Sequence, residues 1–179
     1  ISGTLNISQG TNHGISFVIL NQSSGIINDS AGFYAVLYNM SGGNLNCNGN
    51  AQNLNSFNWS GGTLHSNSTI STFNFGTVII SGSSDKILGN NIELDFGTPG
   101  TIDPIIVDWS GSGNIVFTGT NSSIWIDNGS TFNINTDADI LGLPLGNSIL
   151  NSGIINHNFN GECTINIPFS STWGLFTTQ

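Results

Sequence analysis

Apolar and polar residues alternate over short stretches of this chain, and turn residues separate the stretches. Alternation of this kind predicts β-strands with one buried face. Almost no window of ten residues is free of Gly or Asn, so a long helix has no room to form. The pattern therefore predicts an all-β protein, with its clearest strands at 15–20, 71–75, 77–80, 91–96, 115–118 and 131–135.

A Ser-Gly pair followed by an alternating strand recurs along the chain. The pairs begin at Ser2, Ser24, Ser41, Ser60, Ser81, Ser110 and Ser152, with spacings of 22, 17, 19, 21, 29 and 42. The last spacing is twice 21, which indicates a copy without the Ser-Gly mark. A repeat near 20 residues predicts a parallel β-helix (β-solenoid) of about eight coils, each about 4.8 Å above the last. The alternative, a β-sandwich, predicts turns every 8–12 residues without this repeat.

The repeat predicts one β-solenoid domain over residues 1–179. Residues 1–39 carry it less regularly, as coils or a cap, residues 40–169 form the regular coils, and residues 170–179 form a C-terminal tail or cap. Residues 135–144 break the alternation, and we expect a protruding loop there. The chain opens at Ile1 without Met or a signal peptide, which suggests processing or an excerpt from a longer protein.

Charge excludes several functions. Charged residues make up 6% of the chain, the net charge is −9, and one lysine is the only Lys or Arg. Nucleic acids and anionic membranes need cationic side chains, so neither is an expected partner. No apolar run approaches 18 residues, so no membrane insertion is expected. The 27 Asn and 24 Gly suit tight turns and stacked Asn side chains. No cofactor is expected.

Three segments carry a resemblance to a known group of proteins. They are Phe57–Leu64 (Phe-Asn-Trp-Ser-Gly-Gly-Thr-Leu), Asp108–Gly111 (Asp-Trp-Ser-Gly) and Asn128–Ile134. Over about residues 40–160 the chain resembles secreted parallel β-helix proteins, in particular bacterial surface adhesins and autotransporter passengers. The resemblance implies a right-handed coil and an extracellular or cell-surface location, without an active site. We therefore expect a non-enzymatic structural or adhesive module of a surface adhesin, stalk or end-to-end filament.

Strand edges at the two ends are the expected contact sites. A surface nearly free of Lys and Arg lacks the charges that normally prevent edge strands from pairing. We expect the end strands to lie at 1–7 and 165–169 and to pair with other copies or with neighbouring modules of the same protein. The residues expected to take part are Leu5, Ile7, Ile165 and Ile167.

Carbohydrate binding is the main alternative function. Trp59 and Trp109 occupy the same place before a Ser-Gly pair, and Trp125 lies on a nearby strand. Exposed aromatic rings could stack on a polysaccharide, although a Trp at a repeated position is more often in the core. A relic of a carbohydrate-active enzyme is a related alternative. An ice-binding solenoid is a third, but only Thr118-Gly119-Thr120 shows the required Thr-x-Thr pattern.

Acidic residues offer the remaining catalytic chemistry. Glycoside hydrolysis needs two carboxylates, and the pairs Glu93 with Asp95 and Asp103 with Asp108 are candidates. Such pairs are common at turns and strand edges, so we expect no enzyme.

Metal ligands are the other chemistry to consider. Asp137 and Asp139 could bind calcium, but no periodic Asp supports this. His13, His65 and His157 lack metal-ligand spacing, and no metal site is expected.

Eight Asn-x-Ser/Thr sequons occur, and Asn121, Asn128, Asn58 and Asn67 are the glycosylation candidates in a eukaryotic cell. Asn39 and Asn58 occupy the same position in successive coils. Glycans there would lie one strand spacing apart, so a side-chain ladder is an equally good interpretation.

The two cysteines test the fold. Cys47 and Cys163 are 116 residues apart, which places them roughly 25 Å apart along a solenoid. A disulfide needs Cα atoms within about 7 Å. The fold therefore predicts free thiols or an intermolecular bond.

Overall fold

The computed structural model describes residues 1–8, 15–48, 52–67, 71–97 and 104–178. Seventeen strands pair in parallel to form a β-solenoid of about seven turns, with roughly 21 residues per turn. The predicted fold class is thereby confirmed. The strands are β1 (Thr4–Ile7), β2 (Ile15–Gln22), β3 (Ile26–Asp29), β4 (Phe33–Cys47), β5 (Gln52–Ser66), β6 (Ser71–Ile80), β7 (Lys86–Leu88), β8 (Ile92–Phe96), β9 (Ile106–Trp109), β10 (Ile115–Phe117), β11 (Ser123–Ile126), β12 (Thr131–Ile134), β13 (Ile140–Gly142), β14 (Ser148–Asn151), β15 (Ile154–His157), β16 (Phe169–Ser171) and β17 (Leu175–Thr178).

Each turn of the solenoid passes through three parallel faces. Face A contains the first parts of β2, β4, β5 and β6, followed by β8, β11, β14 and β16. Face B contains the later parts of β2, β4, β5 and β6, followed by β9, β12, β15 and β17. Face C contains β1, β3, the last parts of β4 and β5, β7, β10 and β13. Strands β1 to β3 and β16 to β17 pair in parallel with the neighbouring turns.

The Ser-Gly repeat forms the corner between faces B and C. Gly25, Gly43 and Gly62 have φ angles of 75°, 80° and 100°, a conformation that favours glycine. They are also stacked, because a Cβ on Gly43 would lie 2.6 Å from the carbonyl oxygen of Gly25. The Ser152-Gly153 pair, in contrast, joins β14 to β15 at the corner between faces A and B. Its assignment to the same repeat is therefore wrong.

Residues 135–139 occupy the B–C corner of the turn that contains β12 and β13. The side chains of Thr136 and Ala138 are buried there, and β13 then pairs with β10 on face C. The Thr136 hydroxyl donates to the carbonyl oxygen of Gly111 in the turn below, at 2.6 Å. The expected protruding loop at 135–144 is wrong, because a different sequence makes the same corner without a Ser-Gly pair.

Inward-facing side chains form one core along the axis. Aromatic rings contact one another from turn to turn: Phe57 and Phe75 stack with a centroid distance of 5.5 Å, and Phe96 packs against Phe75 at 5.6 Å with its ring tilted. Lys86 is also fully buried, and its Nζ donates to the carbonyl oxygens of Gly82 at 3.2 Å and Gly113 at 3.3 Å. Backbone carbonyls thus replace the water that the ammonium loses on burial.

Asparagine side chains form ladders on the outside. In each described amide pair, Nδ2 of the later residue donates to Oδ1 of the residue one turn earlier. The rungs are Asn28 to Asn6, Asn46 to Asn28, Asn39 to Asn21, Asn58 to Asn39, Asn74 to Asn53, Asn156 to Asn133 and Asn158 to Asn135, with distances of 2.7–3.1 Å, and a longer one from Asn121 to Asn91 at 3.5 Å. The ladder interpretation of Asn39 and Asn58 is confirmed, and so is the prediction for the cysteines, because Cys47 and Cys163 are both free.

Candidate functional site

The core is open at both ends of the described solenoid. Ile15 in β2 and Phe169 in β16 point inward, in register with the buried Phe33 and Ile149. They are nevertheless 43% and 41% exposed, because no described strand covers them on the other side. Phe176 in β17 is exposed in the same way, at 46%. Each end thus presents an unpaired strand edge together with apolar surface.

The residues expected at these ends lie close to them. Leu5 and Ile7 belong to β1, whose one described partner is β3, so β1 is an end strand of face C. Ile165 bridges Ile140 from the other end, and the side chain of Ile167 is buried. Pattern reasoning missed β2, β16 and β17 as end strands. Their apolar content is ordinary, and only their place in the stack leaves them exposed.

Face A carries a groove around an exposed aromatic ring. Trp125 is 41% exposed and lies in register between Asp95 one turn below and Leu150 one turn above. The groove has a volume of about 750 Å³. It is lined by Trp125, Leu150, the carboxylate of Glu93, the hydroxyls of Ser123 and Ser148, the amides of Asn91 and Asn121, and Gly146.

A second, smaller depression lies on the same face. It measures about 220 Å³ and includes Tyr34, Asn53, Asn55 and Asn74. Tyr34 is exposed and pairs in register with Asn53, which pairs with Asn74. We call the continuous outward row that joins both depressions the outer column, defined as Tyr34, Asn53, Asn74, Asp95, Trp125 and Leu150.

Asp95 is the unusual member of the outer column. It is buried, and its Oδ1 has no hydrogen-bond partner, as is also true of Oδ1 of Asn74 below it. Burial, together with the carboxylates of Asp127 and Glu93, raises the pKa of Asp95 to about 7. The position of Asp95 above Asn74 is that of a ladder rung. A rung in that position must donate a hydrogen to the residue below, and an aspartate does so only as the neutral acid.

Two of the three tryptophans expected to bind sugar are in the core. Trp59 and Trp109 have no exposed surface, and each stacks on an inward-facing ring, Phe57 and Phe132 respectively. A sugar-stacking role for Trp59 and Trp109 is therefore wrong, because neither ring reaches the surface. Their Nε1 groups have no hydrogen-bond partner. Trp125 remains the one predicted stacking residue on the surface.

The glycosylation candidates lie in different settings. Asn58 uses its Nδ2 to donate to Asn39, and Oδ1 of Asn67 contacts Nε2 of His65 at 2.7 Å. Asn121 is exposed with a φ of 57° beside the groove. Asn128 is exposed in the turn between β11 and β12.

The structure does not bring the remaining candidate residues into one site. Within the described ranges, no group of three or more His, Cys, Asp or Glu is placed to hold a metal ion. Asp139 accepts the backbone N–H of Thr164, and Asp108 accepts Nδ2 of Asn133. Thr118 and Thr120 lie at the end of β10 and in the turn after it. Asp103 and His13 lie outside the described residues.

The class of protein is therefore a parallel β-solenoid. It has three faces of parallel strands, and ladders of asparagine side chains run along its outside. Comparisons with protein-family models, curated proteins and solved structures found no match. Among the described residues, no helix is long and apolar enough to cross a membrane.

Proposed function

We propose that this chain is a non-enzymatic structural and adhesive module that works outside the cell, as part of a surface adhesin, a stalk or an end-to-end filament. The open ends of the solenoid are the observation that carries the proposal. Among the described residues, every internal turn is held by backbone pairing and by apolar contacts above and below, whereas the first and last turns have these on one side only.

The two ends are complementary to each other. The last described strands, β16 and β17, lie on faces A and B, while the first described strand, β1, lies on face C. In a second copy stacked head to tail, β2 would lie on β16 and β17, and β1 would lie on the segment around Ile165. All three faces would continue across the junction. A head-to-tail contact of this kind generates an open filament.

The composition of the surface supports the same function. Described ladders, rather than ion pairs, cover much of the sides, and the single lysine is buried. The edges therefore lack the lysines that commonly prevent strands from associating.

Electron microscopy of the natively purified full chain tests the proposal. We expect filaments whose axial repeat is about 34–38 Å, the length of seven to eight strand spacings. Phe176→Asp should abolish them, because it places a charge on the open core. Ile106→Asp is the matched control, because Ile106 is an exposed apolar residue in the middle of face B. Discrete monomers at high protein concentration, or equal loss in both variants, would contradict the proposal.

A further inference from the structure

We infer that the outer column of face A binds a glycan chain of pyranose sugars that carry no acidic groups, with Trp125 and Tyr34 as the stacking platforms. The inference is independent of end-to-end assembly, because these residues lie on the side of the rod.

The groove around Trp125 supplies the chemistry that a sugar ring requires. A pyranose has an apolar face of C–H groups and a rim of hydroxyls. The exposed ring of Trp125 provides a flat apolar platform, and hydroxyl, amide and carboxylate groups surround it within the same groove. Leu150 extends the apolar floor by one turn.

The second depression indicates a chain rather than a single sugar. Tyr34 and Trp125 lie four turns apart on one column, which is about 19 Å at the strand spacing. Between them lie the exposed Asn53, the half-buried Asn74 and the buried Asp95 of the same column. A single sugar cannot span that distance, whereas a linear glycan lying along the axis contacts both rings.

Charge selects the class of glycan. Glu93, Asp95 and Asp127 lie at or beside the groove, and the only lysine of the chain is buried elsewhere. Uronic, sialic or sulfated sugars would place an anion among these carboxylates without a cation to neutralise it. Neutral hexoses and amino sugars both have an apolar face and hydroxyl groups and carry no negative charge. Both classes therefore fit the groove around Trp125.

Binding of soluble oligosaccharides to the full chain tests the inference. Neutral glucan, mannan and galactan oligomers form one arm, acetylated and deacetylated chito-oligosaccharides form a second, and polygalacturonate is the acidic control. We expect affinity in at least one of the first two arms, rising with chain length until both rings are occupied. The arm that binds more tightly identifies the neutral or the amino class.

Two exposed tryptophans provide a matched comparison. Trp125→Ala should lower the affinity about tenfold, because it removes the aromatic ring on which the sugar stacks. Trp125→Phe should lower it less, because it keeps a smaller ring. Trp173→Ala should leave affinity unchanged, since Trp173 is 97% exposed in the turn between β16 and β17 and lines neither depression of the outer column. Tyr34→Ala should weaken long oligomers and leave the shortest ones unaffected.

Several results would overturn the inference. These are no binding in either non-acidic arm, preference for polygalacturonate, or an equal effect of Trp125→Ala and Trp173→Ala. Binding of a lysine-rich peptide in place of every glycan would identify the groove as a peptide site instead. Circular dichroism of each variant separates lost binding from lost folding.

Discussion

Replacing Asp95 by Asn should stabilise this protein at high pH and leave its stability unchanged at low pH. All described amide ladders run in one direction, with the later residue donating to the earlier one. Asp95 follows Asn74 in the outer column, and Oδ1 of each is buried without a partner. The carboxylic acid can donate to Asn74 and the carboxylate cannot. An asparagine at position 95 supplies the donor at every pH.

The magnitude follows from the pKa. A free aspartate titrates near 3.9, and Asp95 titrates at about 7. The folded state holds this proton more tightly than the unfolded state. The protonated Asp95 therefore makes its full contribution to the free energy of unfolding below about pH 4. This contribution is lost as the pH rises through 7. The difference corresponds to at most about 4 kcal/mol, and water in the groove screens Glu93 and Asp127, so we expect about 2 kcal/mol.

Urea unfolding of wild type and Asp95→Asn between pH 4 and 8.5 measures the effect. We expect equal unfolding free energies at pH 4 and a gain for the variant of about 2 kcal/mol at pH 8.5. Asp108→Asn is the control, because Asp108 lies below Asn133 and accepts its Nδ2 at 2.8 Å, so it needs no proton. The reasoning would be refuted if the variant gained no unfolding free energy at pH 8.5, or gained the same amount at both pH values. In either case Asp95 would not need its proton to bond Asn74.

Three further predictions concern the ladders, the thiols and the sequons. Asn39→Ala removes two rungs and should lower the unfolding free energy by about 1–2 kcal/mol, whereas Asn44→Ala, at an exposed position, should change it little. Both thiols should stay unmodified by an alkylating reagent at pH 7 and both should react in urea, giving a mass increase of two labels. Burial raises the pKa of Cys163 to about 11 and that of Cys47 further still. In a eukaryotic expression host, peptide mass spectrometry should find glycan at Asn128 and none on the ladder asparagines, whose Nδ2 atoms are already used; occupied rungs would contradict this.

The solenoid was predictable because one corner of successive turns requires a glycine, which makes the repeat visible in the sequence. All five glycines with positive φ at this corner belong to the Ser-Gly repeat. Gly25, Gly82 and Gly111 directly follow a serine, whereas Gly43 and Gly62 are the second glycines of Ser-Gly-Gly. The sequence was misleading in two places. Residues 135–139 form the B–C corner without a Ser-Gly pair, and the Ser-Gly pair at 152–153 forms the A–B corner instead. Local pattern identifies a turn, but only the stacking shows which corner it makes.

The candidate sites were less predictable, because the burial of a side chain depends on whether it points into the core or out of it. Trp59, Trp109 and Trp125 look alike in sequence, yet the first two point into the core and the third points out. Asp95 follows an acidic residue at i−2 and resembles a solvated strand-edge acid. Its burial arises from its neighbours in the adjacent turns, which are separated from it by 20 to 30 residues in sequence.

The burial of Lys86 has a consequence for proteolysis. Trypsin cleaves after Lys or Arg, and the chain contains one such residue, whose side chain is fully buried with its ammonium bonded to two backbone carbonyls. The folded rod therefore offers a trypsin-like protease no accessible cleavage site along its whole length. Cleavage would yield residues 1–86 and 87–179 and would occur only from molecules whose solenoid has opened. A cut after Lys86 therefore reports opening of the turn that contains β7, whether that opening is local or global.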